Sequence, residues 1–176
     1  PCNKCNGNGK VQANENVTVK IPKGVDDGTR IRVSGKGEAG TKGGSNGDLY
    51  LFVSIDNHEI FKRAEENLYY ELPISFTDAS LGTSVEVPSI DGGRSKIKIP
   101  AGTQHGKQFR LKGKGMPILR RNLLGDLYIR INTQVPNSLS KRQKEILEEF
   151  GEIEKNKPDP IIKSFFEKAK KFWKSS

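Results

Sequence analysis

Apolar and polar residues alternate in short runs along most of the chain. VTVKIP at 17–22 and SKIKIP at 95–100 place Val and Ile on one face and Lys or Thr on the other, as half-buried strands do. RIRVSG at 30–35 and QFRLKG at 108–113 alternate again. GDLYLFVSI at 47–55 and GDLYIRINT at 125–133 each open at a Gly-Asp turn and predict a further strand. NLYYELPISF at 67–76 and TSVEVP at 83–88 predict two more, with a short turn or helix over residues 77–81 between them. The last forty residues follow a helical period instead. Ser140 and Gln143 form a capping box, and Leu139, Ile146, Leu147, Phe150 and Ile153 share one helical face. Past Pro158-Asp159-Pro160, the residues Ile161, Ile162, Phe165, Phe166, Ala169, Phe172 and Trp173 trace one stripe of a second helix.

The strands fall into two copies of one unit. IPKG at 21–24 and IPAG at 99–102 match, as do GTRIRVSGKG at 28–37 and GKQFRLKGKG at 106–115. The two GDLY corners match as well. Subtracting 21 from 99, or 47 from 125, gives 78 each time, so the register holds without a gap. A repeat this long, with internal turns, means two similar domains in tandem rather than a solenoid. The expected fold is mainly β: two tandem antiparallel β-sandwich domains followed by C-terminal helices. The second copy has more in front of it. TSVEVP shifted back by 78 falls on Cys5-Asn6-Gly7-Asn8-Gly9-Lys10, and NLYYELPISF falls before residue 1. The chain therefore reads as a fragment whose first domain begins upstream and is interrupted by a metal module ending at PCNKCNGNG. The expected division is 1–10, the end of that module; 11–65, a first domain lacking its opening strands; 66–138, a second domain; and 139–176, a helical region.

The formal charge of +9 permits nucleic-acid binding, but the 30 cations are spread along the chain among 21 acids, as on a solvated surface. The apolar runs are far shorter than the roughly 20 residues of a membrane span. The polar start is unlike a signal peptide, and two cysteines make no disulfide scaffold, which points to the cytosol. Gly35-Lys36-Gly37-Glu38-Ala39-Gly40 satisfies G-x-G-x-x-G after a strand, yet TKGGSNGD follows where a dinucleotide site needs a helix. His105 aligns with Asp27 and His58 with Pro136, and neither has a recurring carboxylate or serine partner, so no catalytic residue is assigned. Asp48 and Asp126 recur at strand corners, where a side-chain to backbone hydrogen bond is the ordinary role.

Cys2 and Cys5 form C-x-x-C-x-G-x-G, a knuckle in which glycines let the backbone turn around two thiolates. Zinc takes four ligands, so the pair reads as half of a four-cysteine site. A redox pair is the alternative, though it would want a strand before and a helix after. Binding remains as the activity. Strand edges offer N–H and C=O groups to any extended peptide, and a shallow apolar groove adds side-chain contacts. Ile31 and Val33, same-face neighbours on one strand, and Phe61, flanked by charges, are the candidate contacts; each is also a good core residue. The last helix carries more aromatic surface than it can hide alone. It packs on its own domain, meets a second copy through Ile161, Ile162, Phe165, Phe166, Phe172 and Trp173, or lies on a membrane surface with its lysines outward.

PCNKCNGNG, the repeated IP-x-G and GKG turns, GEAG at 37–40, the two GDLY corners and SFF at 164–166 occur in an order that resembles the DnaJ family of co-chaperones, of the type with a cysteine-rich zinc module. The resemblance covers the whole chain. It implies an upstream J domain, a Gly/Phe-rich linker and three earlier knuckles, with zinc in the full-length protein and an incomplete or absent site in this fragment. It implies unfolded client polypeptides and a DnaK-type chaperone as partners, a homodimer, a role in the stress response, and no specific nucleic acid. The His-Pro-Asp motif that stimulates the partner's ATPase in that family is absent from this chain. The alternative reading is a basic, β-rich nucleic-acid-binding protein, for which Tyr50 and Tyr128 stand at matched strand positions.

Overall fold

The computed structural model describes residues 13–156 and 158–174, together with residues 3 and 11. It divides into two units, residues 1–134 and 135–176.

The first unit opens with β1 (Arg30–Val33) and β2 (Leu49–Phe52), an antiparallel ribbon in which Arg32 faces Tyr50 and Val33 faces Leu49. Next come β3 (Lys62–Ala64), β4 (Asn67–Ser75), α1 (Phe76–Leu81), β5 (Thr83–Pro88), β6 (Arg94–Ile99), β7 (Gln108–Leu111) and β8 (Leu127–Gln134). These strands form a four-stranded sheet in the order β3-β4-β8-β7 and a separate β5-β6 hairpin. Most pairings are antiparallel, as expected from the alternation. β4 and β8 run parallel, because the chain leaves β4 through α1 and a hairpin before it returns. Alternation predicts a strand's faces but not its direction.

Period-2 patterning places the core. Leu68, Tyr70 and Ile74 of β4 point inward with Leu127, Ile129 and Ile131 of β8. Val87, Ile97 and Ile99 of the hairpin and Ala79 of α1 join them. Each large apolar side chain buried this way contributes about 1.5–3 kcal/mol relative to exposure. Among the described residues, every buried hydrophobic lies between Phe61 and Ile131, so the second domain holds the packed core. α1 is short but well terminated. Ser75 accepts from the Asp78 N–H at 3.0 Å, and Gly82, at φ 83°, returns its N–H to the Asp78 carbonyl at 2.9 Å.

Among the described residues, SKIKIP forms β6, whereas its counterpart at 17–22 belongs to no strand. In the second domain β6 pairs with β5; the segment that aligns with β5 in the first copy, CNGNGK at 5–10, lies outside the described residues.

The second unit contains α2 (Lys141–Asn156) and α3 (Pro160–Lys174). The capping box is reciprocal: Gln143 N–H donates to Ser140 Oγ at 3.3 Å and Ser140 N–H to Gln143 Oε1 at 2.9 Å. Asp159 caps α3, accepting from the Ile161 N–H at 2.7 Å.

Candidate functional site

The duplication extends to individual hydrogen bonds. Asp48 Oδ1 accepts from the Gly35 N–H at 3.0 Å, and Asp126 Oδ1 from the Gly113 N–H at 2.8 Å, 78 positions on. Asp48 also pairs with Arg32 at 3.7 Å and Asp126 with Arg110 at 2.6 Å. The Gly113 hydrogen bond first, then Arg110, hold the Asp126 carboxyl below its ordinary value of 3.8 against some desolvation. Asp27 accepts from the Ile55 N–H at 2.8 Å, and His105 Nδ1 fills that role for Thr133 at 3.2 Å. His105 thus ties its turn to β8. His58 Nδ1 is an acceptor too, from the Ile60 and Phe61 N–H at 3.1 and 3.3 Å. The G-x-G-x-x-G segment commits its amides internally, Gly35 to Asp48 and Gly37 to the Gly47 carbonyl at 2.8 Å.

The open features are strand edges. In the first domain, β1 and β2 pair with each other only, among the described residues. Ile31 and Val33 are half-buried on β1, facing Leu51 and Leu49. In the second domain, β3 covers β4 only over Asn67–Tyr69. From Tyr70 to Ser75 that edge of β4 has no strand partner among the described residues. A groove of about 700 Å³ adjoins it and extends across the sheet, lined by Ile60 and Leu72 but also by Lys62, Glu71, Gln108 of β7 and Arg130 of β8, among others. Sequence reading missed this edge. Its signal was a length mismatch, since a ten-residue strand pattern at 67–76 follows only a short charged run.

Phe61 is 6% exposed, edge-on to Tyr70 at 5.5 Å and beside His58 at 5.1 Å. It is a core residue near the groove rather than an open contact. Burial pushes the Tyr70 hydroxyl up to about 12, and it has no hydrogen-bond partner among the described residues. The two matched tyrosines already have company. Arg30 lies over the Tyr50 ring at 4.9 Å, and Tyr128 stacks on Tyr69 at 5.0 Å.

In the second unit, the stripe on α3 is open: Ile161 is 79% exposed, Phe165 65% and Trp173 70%, with Ile162, Phe166 and Phe172 also exposed. Phe165 and Phe166 meet edge-on at 5.5 Å. Cys2 and Cys5 lie outside the described residues. Two thiolates are half the donor set of a structural zinc, so the pair's chemistry fits half a site. Among the described residues, no cluster of three or more His, Cys, Asp or Glu is placed to hold a metal, and no helix is long and apolar enough to cross a membrane.

Two copies of one β unit, matched down to their Gly-Asp corners, lead into a two-helix tail. The model of the DnaJ C terminal domain matches residues 4–136, and that of the chaperone protein DnaJ C-terminal region matches 142–175. The chain belongs to the DnaJ C-terminal domain family. It is 64% identical to the chaperone protein DnaJ of Pelagibacter ubique over 175 residues, covering 99% of this chain and 46% of that protein. The chaperone protein DnaJ of Brucella anthropi is 51% identical over 173 residues, covering 98% and 46%. The chain thus spans about half the length of these relatives.

Proposed function

We propose that this chain is the client-holding part of a DnaJ-type co-chaperone, without catalysis of its own. Unfolded polypeptides add as strands to bare sheet borders and seat apolar side chains in the adjoining groove. In the longer protein the clients pass to a DnaK-type chaperone in the cytoplasm. Copies pair through the α3 stripe, so two sites act on one client and raise its effective concentration. Cys2 and Cys5 supply two of four thiolates to a zinc ion whose other ligands come from elsewhere in the full-length protein; the ion would fix the knuckle's fold.

The observation that supports this reading is the stretch of β4 from Tyr70 to Ser75, uncovered among the described residues, beside a groove of mixed apolar and charged lining. Backbone groups there pair with any extended chain, which suits sequence-tolerant binding. Ile31 and Val33 on the β1–β2 ribbon give the first domain a matching surface. Binding of a fluorescent, extended, apolar peptide tests it. Ile60→Asp, at an exposed groove residue, and separately Ile31→Ser with Val33→Ser, are expected to weaken binding at least about fivefold, each change costing on the order of 1 kcal/mol or more. Affinity unchanged in both variants would refute these edges as the site.

A further inference from the structure

Arg63 stands on β3, which precedes residue 66 but pairs with β4 and so belongs to the second domain's sheet, and it reaches back into the first domain. Its Nη1 donates to the Val25 carbonyl at 2.7 Å and its Nη2 to the Gly24 carbonyl at 3.3 Å. Nη2 also pairs with the Asp26 carboxylate, while Nε donates to the Glu65 carbonyl of its own turn at 2.8 Å. The side chain is only 20% exposed. A guanidinium holds its donors in a rigid planar fork, so these acceptors fix the two turns against each other.

The turn it grips is pressed onto the second domain. Gly24 has φ +83°, and a Cβ there would lie 2.1 Å from the Pro117 carbonyl oxygen and 3.1 Å from the Leu119 nitrogen. The duplication supplies its own control. Gly102 occupies the same turn 78 positions on, with φ +75°, and a Cβ there would meet nothing within 4 Å. The close approach of Gly24 therefore belongs to the contact between domains and not to the turn. The counterpart of Arg63 in the repeat is Lys141, at the start of α2, so the grip exists once in the duplication.

We propose that Arg63 is a positioning residue: it latches the Gly24 turn onto the Pro117–Leu119 segment and so sets the spacing between the strand borders of the two domains. The link to client binding rests on the function proposed above; the latch itself does not. A fixed spacing makes the second contact of a long client intramolecular, which raises its strength without a new contact.

Nitroxide labels on Ser34→Cys and Lys98→Cys, in a chain carrying Cys2→Ser and Cys5→Ser, report the spacing by pulsed electron resonance. The unaltered interface gives one narrow distance. Arg63→Lys keeps the charge but not the fork, and Gly24→Ala wedges the contact apart; both broaden the distribution. The two variants perturb different groups, so a folding loss in one, seen by circular dichroism, leaves the other decisive. Narrow distances retained in both overturn the latch. A second readout compares peptides with one or two apolar blocks. Arg63→Lys lowers affinity for the two-block peptide about tenfold and leaves the one-block peptide unchanged. Broadened distances with undiminished two-block affinity overturn the latch's role in binding. Should the one-block peptide fail to bind the unaltered chain, the proposed function falls while the distances still decide the latch.

Discussion

Two titrating residues expose opposite sides of the packing. Tyr70 lies buried against Phe61 with its hydroxyl unmatched by any acceptor among the described residues. An unmade buried hydrogen bond costs about 1–3 kcal/mol. Tyr70→Phe is therefore expected to stabilise the second domain by about 1 kcal/mol, read as a rise in Tm of a few degrees. Burial raises the Tyr70 hydroxyl from 10.0 to about 12. Since folding favours the protonated form, Tyr70's contribution is complete below pH 10 and is lost as pH climbs toward 12. The phenylalanine variant should lose less stability across that window. Asp126 shows the reverse sign, its carboxyl lowered by the Gly113 N–H and Arg110. Its contribution is present above the ordinary carboxylate value and fades as acid protonates the folded form. Asp126→Asn should flatten the acid limb of a stability-against-pH curve, and an unchanged limb would mean the corner is not stabilised by charge.

At the scale of elements, the 78-residue register was readable to a single hydrogen bond. Asp48 and Asp126 do what Gly-Asp corners ordinarily do, and the capping box at Ser140 closed in both directions. What the patterns could not convey was pairing. Alternation at 17–22 is as clean as at 95–100, yet among the described residues only the latter has a partner strand. Phe61 looked exposed by its charged flanks, but the flanks alternate outward while its ring turns inward to Tyr70. The bare half of β4 depends on how little β3 covers, a tertiary fact with only a weak trace in sequence. The helical elements carry a prediction of their own. α3 displays Ile161, Phe165 and Trp173 to solvent in a single chain. Burying such side chains contributes about 1.5–3 kcal/mol each. Solution mass by light scattering is expected to correspond to two chains, falling to one when residues 158–176 are removed. A single-chain mass in both samples would reject pairing through α3.

The whole molecule combines the packed second domain, a first domain with half-buried strands and no fully buried side chain among those described, and a helical unit with apolar side chains exposed on α3. That distribution suits a protein that holds others weakly and reversibly, because its uncovered backbone and side-chain surface is spread over separate places. Both histidines, and Asp27, Asp48 and Asp126, accept backbone N–H bonds. The most direct trial is light scattering from a chemically denatured client diluted into buffer without nucleotide. The chain at roughly equal molar ratio should suppress aggregation, and Ile60→Asp should suppress it less. Scattering that rises identically with and without the chain, even at severalfold excess, would contradict the account.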